Sequence, residues 1–356
     1  MRGVLRAIAR GKLLEGMEVR MPKTIYGALG CLFLLIVTGS LLHAQSLPQT
    51  VEGAKKEGKL VYYTVLTLPE SKALVAAFEK KYPFVKTELF RLEGDKMRAK
   101  IATEARVGRY TVDVTSNSIT NTGLLIRDRM LVPYTSPARE RIWPGLKDRD
   151  GYWTGLYVRL YVIAYNTKLV SQREAPLDWW DLLDPKWKGR KIGLDEEIEL
   201  YGALVVRWGK ERANKLFHGL AAQDPLARRG HTLIAQMMAA GEFFLSIAYG
   251  NRIEEMKGKG APVDWVSTAD PIVASPSVIG MFAHAPHPHA SQLFIDFTLS
   301  REGQSLLKTF DRVTAHMDVP APVPKLDLKN LKVFFVDTTI PGRFEEFQKD
   351  YQAIFQ

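Results

Sequence analysis

Cysteine is nearly absent: the 356 residues contain one, Cys31. With a single thiol the chain can form no internal disulfide and no thiolate-based metal site, and it tolerates an oxidising compartment. The motifs of the common enzyme classes are missing too. There is no Gly-x-Ser-x-Gly elbow, no His-Glu-x-x-His, no P-loop and no dinucleotide fingerprint. These absences leave room for a catalytic dyad and for little else in the way of chemistry. No stripe of Lys and Arg interleaves with aromatics, so nucleic acid is not an expected partner. Internal repeats and low-complexity tracts are also lacking.

What is present is a globular composition: 46% hydrophobic and 25% charged residues, with a formal net charge of +10. The length suits two lobes better than one small core. Residues 1–44 hold six Lys/Arg and two Glu, so a net +6 remains for 45–356. That excess steers anionic solutes or an anionic surface toward the protein. Residues 25–42 are uncharged and largely apolar, Lys23 precedes them, and Leu42-His43-Ala44 ends on a small residue. This is the pattern of a secretory signal peptide over 1–44, with Met17 and Met21 as further candidate starts. Gly30-Cys31 is a poor lipoprotein site, because Ala28 stands where Leu is expected and most of the apolar run follows the cysteine.

Along the rest of the chain, elements alternate. Residues 59–65 read as a strand. Thr67-Leu68-Pro69-Glu70 then forms a capping-box pattern, and Leu74, Val75, Phe78 and Tyr82 recur at helical spacing up to Pro83. A strand from Val85 to Phe90 completes a βαβ unit, which implies a parallel sheet flanked by helices. Ligands of such sheets lie beyond the carboxyl ends of the strands. Thr64 and Thr67 lie there, Thr67 serving equally well as a helix cap. After a helix over 95–107 and a strand over Tyr110–Val114, the run Thr115-Ser116-Asn117-Ser118 falls at a second strand end. Ser116 and Asn117 are thus candidate donors to a ligand, with plain turn chemistry as the alternative.

From Tyr157 to Tyr165 the even positions Val158, Leu160, Val162 and Ala164 are aliphatic, and the odd ones include Tyr157, Arg159 and Tyr161. Side chains alternate faces along a strand, so one face is core and the other offers three hydrogen-bonding tips. Asp195-Glu196-Glu197 open a helix over Ile198–Trp208, where acids complement the dipole or accept bonds from a solute; Tyr201 is expected near the same mouth. Arg229 and His231 flank Gly230 before another helix, which suits an anionic group. Tyr249-Gly250-Asn251 ends the strand Phe243–Ala248, making Tyr249 and Asn251 candidates. His284, His287 and His289 are separated by prolines and read as a turn leading into a helix. Residues 326–356 read as a short strand and a terminal helix without assignable chemistry.

Two stretches, YWTGLYVRLYVIAYNTKLV with PLDWWDLLDPKWKGRKIG, and GEFFLSIAYGNRIEEMKGKGAPVDWV with APHPHASQLFIDFTLSREGQSLL, resemble the ferric-iron-type group of bacterial extracellular solute-binding proteins that serve ABC importers. The resemblance implies an α/β, two-lobed periplasmic-binding-protein fold of type 2, each lobe a mixed or parallel sheet flanked by helices, joined by crossover strands. Lobe 1 would comprise 45–157 plus 272–320, lobe 2 would comprise 158–271, and 321–356 a C-terminal strand and helix. It also implies a monomer in the periplasm, without cofactor or catalysis, that delivers its solute to an inner-membrane permease. A secreted enzyme and a ligand-sensing regulator lobe are the rival readings. Ferric-binding relatives use two adjacent tyrosines where this chain has Tyr249 followed by Gly250. Transported Fe3+ would therefore depend on Tyr249 and Glu197, with Asp195 and Glu196 nearby. Arg159, Arg229 and His231, with the hydroxyls of Thr64, Thr67 and Ser116, favour a small organic anion instead.

Overall fold

The computed structural model describes residues 47–337 and 339–355. The expected leader and Cys31 lie outside them. Helix α1 (Leu47–Glu57) leads into β1 (Lys59–Thr64), α2 (Leu68–Lys81), β2 (Lys86–Arg91), α3 (Gly94–Arg106), β3 (Val114–Ser118), α4 (Ile119–Arg127) and the short β4 (Leu131–Val132). The long β5 (Thr154–Asn166) follows. Beyond it come β6 (Ile192–Leu194), α5 (Ile198–Trp208), α6 (Lys210–Ala222), β7 (Leu226–Ala227), α7 (His231–Ala240), β8 (Leu245–Tyr249), α8 (Gly250–Gly258) and β9 (Val263–Trp265). A second long strand, β10 (Ile272–Phe282), returns. It is followed by α9 (Pro288–Leu299), α10 (Arg301–Lys308), β11 (Val313–Thr314), β12 (Val333–Phe335), α11 (Thr339–Gly342) and α12 (Phe344–Phe355).

The main strands run in the order β2-β1-β3-β10-β5-β8-β6-β7. Two parallel sets, β2-β1-β3 and β8-β6-β7, flank the antiparallel pair β10-β5. This order fixes where the working surface must lie. Strand β3 runs with β5 and ends at Ser118, opposite Ser277, which pairs with Tyr157. Strand β8 runs against β5 and ends at Tyr249, opposite Tyr161. The carboxyl ends of the two parallel sets therefore face one another across four residues of β5, about 13 Å at ~3.3 Å per residue. Arg159 stands midway.

The aliphatic side of β5 is core: Val158, Leu160, Val162 and Ala164 are all buried. Burying a Val or Leu contributes about 1.5–3 kcal/mol, so this row anchors the strand that carries the polar face. The cap expected at Thr67 forms: its N–H and hydroxyl both donate to Glu70, at 2.8 and 2.7 Å. One strand differs from expectation. The strand expected over Tyr110–Val114 lies later: β3 begins at Val114, and Thr115 to Ser118 form it rather than a loop after it, with Thr115, Ser116 and Asn117 buried. Pairing with Thr64 on one side and Ile279 on the other holds that polar run in the ladder; cross-strand hydrogen bonding overrides its turn propensity.

Candidate functional site

A cleft of about 940 Å³ opens where the two sets of strand ends meet. One bank carries Arg98 from α3 and Ser118, Thr120 and Asn121 from the start of α4. The other carries Asp195, Glu196 and Glu199 around the start of α5, His231 from α7, and Tyr249 from β8. Arg159 and Tyr161 form the floor.

Arg159 donates to the Ser275 hydroxyl at 2.8 Å and sits 3.8 Å from the Glu199 carboxylate. Its Nε is buried and bonded to nothing; so is the Nε of Arg98. Glu199 collects the floor and both banks: it accepts from Tyr161 at 3.0 Å and from Thr120 at 3.2 Å. Burial, then the charge of Glu199 and the neighbouring Tyr249, push the Tyr161 phenol well above its ordinary pKa. Tyr161 therefore remains a neutral donor.

His231 is held on three sides. Its ring stacks on Tyr249 with centroids 4.2 Å apart. Its Nδ1 lies 3.0 Å from Asp195 and its Nε2 3.2 Å from Glu197, whose side chain is fully buried. Burial opposes a charge on the imidazole, yet Glu197, Tyr249 and the bonds to Asp195 and Glu197 outweigh it and hold its pKa well above the usual value. The imidazolium is thus already neutralised by protein carboxylates. Gly230, at φ +101°, turns the chain so that its N–H donates to Asp195 at 2.9 Å. Arg229 pairs with Glu196 at 3.2 Å, and both are exposed.

Of the residues expected at a site, the structure brings Arg159, Tyr161, Asp195, Glu196, His231 and Tyr249 to one cleft, with Glu197 behind His231. It places others elsewhere. Thr64 and Ser116 are fully buried in a hydroxyl chain with Tyr62, each link 2.6 Å. Thr67 is occupied with its cap. Asn117 is buried, its side-chain oxygen accepting from the Ser118 N–H at 2.8 Å. Tyr157 lies under the Arg312 guanidinium, 4.4 Å from its ring centroid, and Arg312 is clamped by Glu70 at 2.6 Å. Tyr201 turns away from the cleft: it is buried against Phe217 and Phe347 and donates to Asn214 at 2.6 Å. A position one turn into α5 faces α6 and α12 instead. Asn251, in the first turn of α8, is buried and outside the cleft lining.

Arg98, Thr120 and Glu199 went unread in the sequence. Glu199 was legible in principle, as an acid in the first turn of the helix that Asp195-Glu196-Glu197 precede. The three histidines do not converge: His287 bonds Asp113 at 2.8 Å, His289 bonds Glu57 at 2.6 Å, and His284 packs on Tyr110. His287 and Pro288 begin α9, as the proline-broken turn implies. Among the described residues, no group of three or more His, Cys, Asp or Glu is placed to hold a metal ion.

Residues 118–333, over half of the chain, match the model of the bacterial extracellular solute-binding protein family. The chain belongs to that family. Its role is that of a solute-binding component of an ABC importer. An uncharacterised Haemophilus influenzae protein is 25% identical over 266 residues, 71% of this chain and 76% of its own. A Serratia marcescens Fe(3+)-binding periplasmic protein is 24% identical over 222 residues, 58% of this chain and 65% of its own. Among solved structures, iron-bound HitA from Pseudomonas aeruginosa superposes with a TM-score of 0.74 at 20% identity, over 84% of this chain and 99% of that one. AfuA from Actinobacillus pleuropneumoniae, with fructose-6-phosphate bound, gives 0.69 at 24%, over 83% and 97%. Those likenesses establish the two-lobed type 2 architecture.

Proposed function

We propose that this family member captures a small organic anion between two lobes in the periplasm and presents it to its permease. The observation that carries the reading is the pair of guanidinium side chains that line one cleft, Arg98 and Arg159, each with an Nε that no protein group accepts from. A guanidinium offers five donors, and an anion in the cleft can accept from those that no protein group takes. The cleft volume of about 940 Å³ suits a solute of many atoms better than a bare ion. The lobes would divide as the crossover strands suggest, 45–157 with 272–320 and 158–271. A ligand touching both banks binds the closed form better, and that difference closes the hinge.

Calorimetric titration with inorganic phosphate, glucose 6-phosphate and citrate tests the reading. We expect one-to-one binding of an organic anion in the micromolar to nanomolar range, about −8 to −12 kcal/mol. Scattering should show a smaller radius of gyration at saturation, and the ligand should be recovered chemically unchanged. No binding of any of the three sinks the anion reading.

A second reading, transport of ferric iron, draws on one observation: Tyr161 lies opposite Tyr249 in register, their rings 5.3 Å apart. Two phenolates suit a hard trivalent ion. Burial and Glu199 oppose ionisation of Tyr161, which weighs against it. Ferric titration separates the two. A visible charge-transfer band that is lost in Tyr249→Phe would establish iron as the cargo.

Export accounts for the leader pattern. The exported, monomeric product should begin at Gln45, which intact-mass measurement of the periplasmic protein checks. A product that keeps residues 25–42, or carries a lipid on Cys31, would overturn this.

A further inference from the structure

The family-model match ends at 333, and the chain beyond it has a placement of its own. Strand β12 pairs with β10, the crossover strand. Helix α11 then packs mainly on α4, on the Arg98 bank, with Pro341 so close to Gly123 that a Cβ added there would lie 2.6 Å from the proline ring, and it also touches α5 across the cleft. One residue later, α12 begins on the opposite bank. Phe347 fills the space left by Gly202 on α5, and the Tyr351 hydroxyl donates to the Asp195 carbonyl at 3.2 Å. Arg343, the residue between the two helices, lines the cleft with Pro341, Phe344, Glu345 and Glu346. The chain thus crosses the mouth of the cleft, fastened on both sides.

We propose that residues 339–348 are a clasp that forms the outer wall of the solute cleft and resists its opening. Buried Ile340 and Pro341 hold the clasp on one bank; buried Phe347 and Tyr351 hold it on the other. Opening the banks pulls these two attachments apart, and only Arg343 lies between them to take up slack. The weaker attachment must yield. It is α11, a single turn of four residues, against the three turns of α12. Arg343 holds Glu346 through two hydrogen bonds of 2.9 and 2.8 Å and lies over the Phe347 ring, 4.7 Å from its centroid, so the guanidinium is tied to the α12 side of the mouth. A solute in the cleft meets this guanidinium and two carboxylates at its outer end, and it leaves only when α11 lifts from α4. The inference rests on the two-bank reading of the cleft and not on which solute fills it.

The test therefore needs no solute. In a Cys31→Ser background, spin labels at Lys96→Cys on α3 and Lys215→Cys on α6 report the distance between the banks. Gly123→Leu adds a side chain where Pro341 sits, at a helical position that accepts leucine without strain. Pro341→Gly removes the contact from the other side, and it decides the matter if Gly123→Leu lacks a cooperative thermal transition. We expect both variants to lengthen and broaden the distance distribution of the solute-free protein. Distributions that superimpose on the parent's would overturn the clasp and leave the anion reading standing. Failure to bind any anion would overturn the anion reading and leave the clasp standing.

Discussion

Replacing Glu197 with glutamine should lower stability by about 3 kcal/mol, the low end of what breaking a buried ion pair costs. The low end applies because Asp195 remains 3.0 Å from the other nitrogen of His231. The glutamine has the shape to fill the site but no charge to offset the imidazolium. Chemical denaturation at pH 7 measures the difference. The pH dependence identifies its origin. His231 has a folded pKa raised well above its usual value by Glu197, Tyr249 and Asp195 acting against burial. A raised histidine contributes stability that is complete below the unfolded value near 6.5, and the contribution fades as pH climbs through the folded one. The parent should therefore lose stability on the alkaline side of neutrality. In Glu197→Gln the folded pKa falls, and the same loss moves to lower pH. A variant whose curve runs parallel to the parent's at every pH would mean that His231 is not the titrating group.

The opposite sign holds at Glu70. Burial raises its pKa, but Arg312 and Thr67 bring it below the ordinary range. The stability it contributes is present above the unfolded carboxylate value and lost as pH falls through the folded one. Arg312 joins Glu70 at the start of α2 to the ring of Tyr157, so acid should loosen that contact.

These clusters show what could be read from the sequence. The βαβ opening and the amphipathic row of β5 were legible because each depends on a local period. So was the Tyr-Arg-Tyr face, since alternation along one strand decides it. The fate of each member of that face was not. Tyr157 is covered by Arg312, 155 positions later in the chain, and Arg312 reaches it only because β11 pairs with β5. Tyr161 meets Tyr249 through strand register, which no local pattern reveals. Thr64 and Ser116 looked like free donors because the partner of each lies in another strand. Tyr201 lies away from the cleft because α12 packs on α5, a contact between distant segments that no local pattern shows. The errors share one cause: a polar residue at a strand end or helix start is legible, but whether a distant residue has already satisfied it is not.

Arg159→Met should weaken binding of the proposed organic anion at least about 100-fold, measured by the same calorimetric titration. Methionine keeps the apolar stem that packs along the floor but removes the charge and all five donors. A hydrogen bond to a charged group contributes about 1.5–3 kcal/mol, and two decades of affinity correspond to about 2.7 kcal/mol, so one lost contact suffices. Glu199 adds to the loss. Its carboxylate, 3.8 Å from Arg159 in the parent, would face the anion without a counter-charge. The double variant Arg159→Met with Glu199→Gln separates these effects. It should recover thermal stability, since no uncompensated charge remains at the floor, while affinity stays low, since the guanidinium is still missing. Recovery of binding along with stability would show that Arg159 serves only to neutralise Glu199. Tyr249→Phe is the contrasting substitution. It leaves the stack on His231 in place, so an anion held by Arg98 and Arg159 should bind within a few-fold of the parent, whereas a ferric ion dependent on the Tyr249 phenolate should not.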